Sequence, residues 1–304
     1  MISMIELVQI FIIAIVQGVT EFLPISSSGH SAVIEHLYER LGHPLTEDST
    51  DFIKLNVLLH VGSLIAILIV YRQRIIGMFG KDWRLIPMLI IATIPVVVVG
   101  YPIYKFAPWS QDYLPLITAS FVATGFMLLL TLRFSDGEKT CSTMTWKDAL
   151  IIGFAQAVAI VPGISRSGIT IVTALLCKLK REDAAAFSFL LAIPVIAGTG
   201  LLAGVEMIRH VPDPDAPGIS NWLLLLGASI SCVAGIIAIL FLLNWLKKGR
   251  LWYFAIWAFA MALIAFVLAV LPMPEKTEVV HLPVEVLKAC QTSGFFPHCF
   301  HWSE

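Results

Sequence analysis

Charge is the first thing that the sequence lacks. Asp, Glu, Lys and Arg make up 13% of its 304 residues, against roughly 25% in soluble domains. Hydrophobic residues make up 58%, and the mean hydropathy is +0.86. These values exclude an ordinary soluble domain and predict an integral membrane protein. The net charge of −1 gives no indication of nucleic-acid binding.

Cysteines are few and scattered, and the first residues carry no basic charge. The five cysteines are Cys141, Cys177, Cys232, Cys290 and Cys299, and no two of them form a CxxC pair. We therefore expect neither a disulfide framework nor a zinc site. The opening MISMIELVQ has no Lys or Arg before its apolar run, so we expect no cleaved signal peptide.

Long apolar segments are what the sequence has instead. A helix needs about 20 apolar residues to cross a bilayer core. Six segments approach this length, and they are 52–71, 85–104, 114–132, 184–205, 222–243 and 251–271. The sequence therefore predicts an all-α polytopic membrane protein with six full transmembrane helices.

The loops between these segments alternate in charge. In chain order the basic loops are 72–84, 178–181 and 247–250, and loop 133–148 carries Arg133, Lys139 and Lys147 with some acids. The acidic loops or those poor in Lys and Arg are 35–51, 105–113 and 206–221. The positive-inside rule places the basic loops in the cytoplasm. Each of the six segments then joins loops on opposite sides, as a transmembrane helix must.

Two further apolar stretches, 5–34 and 149–177, break in the middle. The second is flanked by Lys147 and Lys178, so we expect both of its ends in the cytoplasm. Each arm has about 13 residues and reaches about 20 Å, which is short of a core of about 30 Å. We therefore predict that the stretch is a re-entrant helix–loop–helix hairpin with its tip at PGISRSG.

The two broken stretches also resemble each other. Residues 12–33 match 151–172 without gaps at nine of 22 positions, including Gln17 and the Ser-x-Ser-Gly of 26–29. Each half is one broken stretch followed by three spans, and an odd number of spans inverts the second half. The repeat therefore predicts that the first stretch is a re-entrant helix–loop–helix hairpin as well. We expect one membrane domain over 1–272, with inverted repeats at about 5–133 and 147–272 and with the two tips meeting.

Polar residues gather at the two breaks. The first break holds Ser26, Ser27, Ser28, Gly29 and His30, and the second holds Ser165, Arg166, Ser167, Gly168 and Thr170. Helix N-termini and an arginine fork favour an anion, so the tips predict a site for a phosphorylated lipid. Gln17 and Glu21 share a helix face beside the first break. Glu21 could hold Mg²⁺ or Ca²⁺ there through oxygen.

Structural explanations compete with this interpretation. Serine and glycine commonly break helices, and Gln17 can serve only to bond neighbouring backbone. Arg166 and Glu21 can form a structural ion pair, and His30 can be a hydrogen-bonded core histidine. We interpret His60, in LLHVGS, as a packing or hydrogen-bonding residue. The repetition of one polar pattern in both halves favours the functional interpretation.

The segments QGVTEFLPISSSGH (17–30) and PGISRSGIT (162–170) resemble the two signature motifs of the undecaprenyl-diphosphate phosphatase family, the bacitracin-resistance membrane enzymes. The similarity covers about residues 5–272. It implies hydrolysis of undecaprenyl diphosphate to the monophosphate carrier that cell-wall synthesis uses. It also implies a divalent metal requirement, an inner-membrane location and an active site that opens to the periplasm.

The resemblance assigns roles to individual residues. Ser27 and His30 correspond to nucleophile or acid–base residues, and Arg166 corresponds to the phosphate-binding arginine. Glu21 and Gln17 correspond to the acidic motif, which many members build with Glu at the first position. The implied phosphate-binding or supporting groups are Ser26, Ser28, Gly29, Ser165, Ser167, Gly168 and Thr170.

The C-terminal tail, 273–304, has no counterpart in the family pattern. It contains FFPHCFHW, which we do not expect to be a metal cluster. We expect a poorly ordered periplasmic appendage.

Several alternatives stay open at this point. Either Ser27 attacks phosphorus with His30 or Glu21 as its base, or His30 is itself the nucleophile. A lipid-phosphate transporter or flippase on the same inverted repeat is the alternative function. The type 2 phosphatidate phosphatases are excluded because their second histidine follows Ser-Arg, and 167–183 has no histidine. The expected partners are the polyprenyl diphosphate and the bilayer, and a homodimer is an open option.

Overall fold

The computed structural model describes residues 4–42, 49–107, 110, 112–134, 137–209 and 219–272. Its first six helices are α1 Met4–Phe22, α2 Ser27–Arg40, α3 Ser49–Val70, α4 Arg72–Met78, α5 Leu85–Pro95 and α6 Tyr101–Phe106. The next six are α7 Leu114–Leu129, α8 Trp146–Val158, α9 Arg166–Leu176, α10 Arg181–Arg209, α11 Asn221–Lys247 and α12 Tyr253–Val270. Within the described ranges, β-structure is limited to one isolated bridge, so the protein is all-helical as predicted. The predicted tail lies outside them.

The described residues contain six helical segments that are long and apolar enough to cross a membrane. They are Ile53–Val70, Leu85–Ile103, Leu114–Arg133, Arg181–Val205, Asn221–Lys247 and Tyr253–Val270. The second segment joins α5 to α6 through a π-helical turn, which follows Pro95 because proline removes a backbone donor. The six predicted spans are confirmed, and the chain is a multi-pass membrane protein.

Apart from the short α4, four helices are too short or too polar to belong to this set. They form two consecutive pairs, α1 with α2 and α8 with α9, and each pair is joined by a short break. The start of α8 lies near the residues that follow α9, because Lys139 bonds to both. Its backbone N–H donates to Lys178 at 3.0 Å, and its ammonium contacts Asp148 of α8 at 2.9 Å. The two ends of this helix pair are therefore close to each other.

Small and polar residues bring α1, α3 and α11 into close contact. Any side chain at Gly18 of α1 would collide with Ser231 and Ala234 of α11. The hydroxyl of Ser231 donates to the Leu59 carbonyl of α3 at 2.9 Å. Small residues that let membrane helices approach, and hydroxyls that bond across them, are the usual basis of such packing. This frame holds the C-terminal end of α1 where the first break begins.

Candidate active site

The two breaks are hydrogen-bonded to each other. The Ser26 hydroxyl caps α2 by accepting from the Gly29 N–H at 3.3 Å, and it also accepts from the Gly163 N–H of the other break at 3.1 Å. In return, the Ser167 hydroxyl donates to the Leu23 carbonyl at 3.0 Å. The expectation that the tips meet agrees with these contacts, which form one buried polar centre from two distant parts of the sequence.

Glycine is required where the breaks touch. A side chain at Gly29 would collide with the Phe121 ring and with Gly163. Gly163 has φ +92°, which only glycine adopts readily, and a side chain there would also meet Ile117 and Ser120 of α7. The close approach of the two tips therefore depends on both glycines.

Ser26 has an unusual backbone conformation. Its φ of +70° is rare for any residue other than glycine, and such a conformation costs about 1–3 kcal/mol unless its surroundings hold it. The capping bond, the Gly163 N–H and a bond from His30 to the Ser26 carbonyl all hold it. Ser27 follows Ser26 directly in the chain. The side chain after it, Ser28, is exposed, and its hydroxyl lies 3.4 Å from that of Ser26. The strained residue thus sets the direction in which Ser27 points.

Glu21 is the centre to which the predicted residues converge. Its carboxylate is only 5% exposed. Arg166 donates to Oε1, while the Ser27 hydroxyl and the Gln17 amide donate to Oε2 at 2.7 and 3.0 Å. Ser27 is the first residue of α2 and Arg166 is the first residue of α9, and they are equivalent positions in the alignment of the two stretches. The structure therefore brings together Gln17, Glu21, Ser27 and Arg166.

His60 also lies at this carboxylate, although it had been interpreted as a packing or hydrogen-bonding residue. Its Nε2 is 3.7 Å from Glu21 Oε2, and its side chain is 31% exposed. Nδ1 lies 2.9 Å from the Asn56 carbonyl, which can only accept, so Nδ1 carries a proton and, whenever the ring is neutral, Nε2 is the nitrogen without one. An ionisable residue inside a membrane helix is by default a functional candidate, and that signal could have identified it.

His30 lies on the other side of the first tip. Its Nδ1 donates to the Ser26 carbonyl at 2.6 Å, and its Nε2 accepts from the Trp257 indole N–H at 2.8 Å. Both ring nitrogens are therefore engaged, and the neutral ring has no lone pair available for a substrate proton. Trp257 was not identified from the sequence. The available signal was that an indole N–H within an apolar membrane helix needs a hydrogen-bond acceptor.

The polar residues of the second break mostly bond within it. Ser165 caps α9 by accepting from the Gly168 N–H at 3.1 Å, and its hydroxyl lies 3.3 Å from that of Ser167. Thr170 is fully buried, and its hydroxyl lies 2.6 Å from that of Ser188 on α10. The structure places these residues as a frame that fixes the start of α9, from which Arg166 extends.

The arrangement around Glu21 does not fit a resident divalent cation. Such a cation needs several oxygens with lone pairs turned toward it. Here Gln17 turns its N–H₂ group to the carboxylate, and Ser27 and Arg166 also present N–H or O–H donors to it. In the part of the chain that the structure describes, no group of three or more His, Cys, Asp or Glu side chains could hold a metal. These N–H and O–H donors suit a negatively charged group, such as the Glu21 carboxylate or a phosphate, rather than a metal ion.

The chemistry that this centre can perform follows from its charges. The carboxylate accepts the Ser27 proton directly, because the two groups already share a hydrogen bond. Arg166 donates to Glu21 through one terminal nitrogen. Because a guanidinium has five N–H donors in a planar fork, a single bond to Glu21 does not use all of them. A hydroxyl with a carboxylate base and a positively charged guanidinium beside it is the arrangement that nucleophilic attack on a phosphoryl group requires.

Comparison with known proteins agrees with this chemistry. Residues 10–264 match the family described as bacitracin resistance protein BacA. The chain is 38% identical over 263 residues to an undecaprenyl-diphosphatase of Rhodopirellula baltica, covering 86% of this chain and 98% of that protein. It is 38% identical over 261 residues to undecaprenyl-diphosphatase 4 of Bacillus thuringiensis and 34% identical over 261 residues to an undecaprenyl-diphosphatase of Carboxydothermus hydrogenoformans. In both cases 86% of this chain and 96% of the relative are covered.

Proposed function

The chain belongs to the bacitracin resistance protein BacA family, and from that premise we propose how its polar centre performs the family's reaction. The protein hydrolyses undecaprenyl diphosphate to undecaprenyl phosphate and inorganic phosphate. This returns the lipid carrier to peptidoglycan synthesis and gives resistance to bacitracin. The observation that carries the assignment of the site is the convergence of Ser27 and Arg166 on the single carboxylate of Glu21.

The first step is the transfer of the terminal phosphoryl group to Ser27. The hydroxyl oxygen attacks the terminal phosphorus, and its proton passes to Glu21 Oε2, which lies 2.7 Å away. The bond between that phosphorus and the bridging oxygen breaks, and undecaprenyl phosphate leaves. As Glu21 becomes neutral, the Arg166 guanidinium is released to the phosphoryl oxygens, where it stabilises the charge of the transition state.

The second step is the hydrolysis of the phosphoserine. Water attacks the phosphorus, the bond to Ser27 Oγ breaks, and Glu21 returns its proton to that oxygen. The proton of the attacking water passes to His60 Nε2, which is the unprotonated nitrogen beside Glu21, and from there to solvent. His60 suits this role because it is more exposed than Glu21 or Arg166, whose side chains are 5% and 16% exposed. One phosphate and one proton are released.

The geometry favours Ser27 over His30 as the nucleophile. Ser27 contacts the proposed base, whereas the two nitrogens of His30 are bonded to Ser26 and Trp257. We therefore assign to His30 a role in placing the first tip.

Phosphate release by the purified protein tests the function. The protein in detergent or in liposomes should release inorganic phosphate from undecaprenyl diphosphate and leave undecaprenyl phosphate as the second product. A transporter or flippase on the same fold would move the lipid and release none. Absence of phosphate release from folded protein, with or without added Mg²⁺ or Ca²⁺, would reject hydrolysis.

We also propose that the two helix pairs are re-entrant hairpins of an inverted repeat. The bonds from Lys139 that hold the start of α8 beside the end of α9 support this for the second pair. For the first pair, the contacts of Gly18 with Ser231 and Ala234, together with the contact of Phe22 with Gly235, show α1 running in the same direction as α11. With the basic loops inside, α1 then enters from outside. The protein would lie in the inner membrane with its site open to the periplasm.

Cysteine labelling checks this topology. In a Cys-free background, single cysteines at Leu41 and Tyr113 should react with an impermeant maleimide from the periplasmic side, and cysteines at Ile76 and Phe79 only after the membrane is opened. All four side chains are exposed in the fold, so access depends on the side of the membrane. Reaction of all four positions from one side would rule out the topology.

We propose that any divalent cation in the reaction arrives bound to the diphosphate of the substrate. The donors around Glu21 leave little for a cation to bind, whereas a diphosphate offers several anionic oxygens. The cation would neutralise charge on the substrate, and the chain's own residues would carry out the proton transfers.

Gln17→Glu should create a cation site that the natural protein lacks. It replaces the amide donor, 3.0 Å from Glu21, with a second carboxylate, and affinity for hard cations rises with the number of anionic oxygens. We expect the variant to bind Mn²⁺ without substrate, measured by paramagnetic resonance. The Mg²⁺ or Ca²⁺ concentration for half-maximal activity should fall, while the rate at saturation changes only a few-fold.

The matched control is Gln17→Leu, which removes the amide donor without adding charge and should leave the half-saturating concentration unchanged. Tight Mn²⁺ binding by the natural protein in the absence of substrate would contradict the proposal. An unchanged half-saturation point in Gln17→Glu would mean that position 17 lies away from the cation.

A further inference from the structure

A continuous series of hydrogen bonds connects the lipid-facing surface to the strained residue of the first tip. The Trp257 indole N–H donates to His30 Nε2 at 2.8 Å, and His30 Nδ1–H donates to the Ser26 carbonyl at 2.6 Å. Trp257 belongs to α12, whereas the other two residues belong to the first break. The imidazole is therefore a bridge between a full-length membrane helix and the backbone of the tip.

The position of the His30 ring is fixed on several sides. Its plane is nearly parallel to that of Trp257, at an angle of 5° and a centroid distance of 6.1 Å. Phe121 of α7 packs its ring edge-to-face on the imidazole at 5.5 Å. The ring is 5% exposed, and its two nitrogens have one partner each. Because the N–H of Trp257 can only donate, it also fixes the tautomer that places the proton on Nδ1, toward Ser26.

Ser26 needs such support because of its backbone. A residue other than glycine at φ +70° relaxes to negative φ when nothing holds it. That relaxation would rotate the peptide that joins Ser26 to Ser27. Ser27 would then move away from Glu21 Oε2, which it now reaches at 2.7 Å.

We propose that Trp257 is a positioning residue, which acts through His30 to hold the Ser26 backbone and so aims the Ser27 hydroxyl at Glu21. The proposal rests on the assignment of Ser27 as the nucleophile. Trp257 directs its N–H to His30, and its effect on Ser27 is transmitted by two hydrogen bonds. This gives a specific function to a tryptophan that is 51% exposed on an apolar helix.

Trp257→Phe tests the proposal because it keeps an aromatic ring and removes the N–H. We expect kcat to fall about tenfold with little change in KM, since the lost contact is one hydrogen bond that aligns the nucleophile rather than one that binds substrate. The matched control is Trp222→Phe on α11, where the side chain is equally exposed, at 51%, and kcat should stay unchanged.

The reactivity of Ser27 distinguishes positioning from a general effect on folding. A serine-directed fluorophosphonate should label Ser27 in the natural protein, and Trp257→Phe should slow this labelling by the same factor as kcat. Partial unfolding would instead lower the final extent of labelling and the midpoint of thermal unfolding. Such a loss of extent, with an unchanged rate for the folded fraction, overturns the proposal.

The two assignments can fail separately. An active natural protein that the probe does not label at Ser27, and that keeps its activity as Ser27→Ala, would overturn the nucleophile and with it the aiming role of Trp257. Labelling of Ser27 at equal rates in the natural protein and in Trp257→Phe would overturn the role of Trp257 alone.

Discussion

Ser27→Ala is expected to lower kcat by about 10⁴-fold or more, because removing a nucleophile of this kind leaves only binding and charge stabilisation. The hydroxyl donates directly to the Glu21 carboxylate, and its oxygen can form a bond to phosphorus once that proton has been transferred. Phosphate release and, in rapid-quench experiments, a phosphate label on the protein should both disappear. The fold should survive, because Gln17 and Arg166 still donate to the carboxylate.

Ser28→Ala is the matched control for this experiment. Ser28 is the next residue on the same helix, and the resemblance made it a supporting group. Its side chain is exposed, however, and its hydroxyl lies 3.4 Å from that of Ser26, whereas the hydroxyl of Ser27 bonds to Glu21. We expect it to retain activity within a few-fold. Substantial turnover by Ser27→Ala would contradict the covalent route and would indicate direct attack by water or by another residue.

Arg166→Ala is expected to lower kcat by at least about 10²-fold, the size of effect seen when one electrostatic group of a transition state is removed. The guanidinium pairs with Glu21 in the free protein and is proposed to move to the phosphoryl oxygens. Its removal also leaves a buried carboxylate without a countercharge, which destabilises the fold by about 3–5 kcal/mol. A loss of activity in the alanine variant alone would therefore have two explanations.

Arg166→Lys distinguishes a loss of transition-state stabilisation from a loss of folding stability. Lysine keeps the positive charge beside Glu21, so the folded protein should accumulate normally. A point charge does not replace a planar fork of donors on phosphate oxygens, so kcat should still fall by an order of magnitude or more. Arg133→Ala, at an exposed position, controls for a general loss of positive charge. Full activity in Arg166→Lys would mean that the guanidinium serves the fold by pairing with Glu21 and takes no part in the transition state.

The sequence was sufficient for the spans and for most of the centre, for identifiable reasons. Apolar length and loop charge follow directly from composition, so the six membrane helices could be predicted. Glu21, Ser27 and Arg166 could be identified because the polar pattern occurs twice and interrupts an apolar background. Their convergence on one carboxylate required only that the two breaks meet.

His60 and Trp257 make contacts that could not be predicted from the sequence. Each is a single polar or aromatic residue in a long apolar run, and such residues occur for many reasons. Their contacts with Glu21 and His30 arise from the packing of α3 and α12 around the tips, which no local pattern encodes. For the same reason the sequence indicated that His30 mattered but could not show that both of its nitrogens are bound.

The sequence similarity of the two breaks has a consequence for how the chain can be divided. Ser27 and Arg166 occupy equivalent positions, but in the proposed mechanism one half contributes the nucleophile with its base and the other contributes the charge. A symmetric assembly built from the first half alone would have two serines and no guanidinium, and one built from the second half would have two guanidinium groups and no nucleophile. In this proposal the reaction therefore requires both halves, because neither half alone contains the nucleophile, its base and the guanidinium.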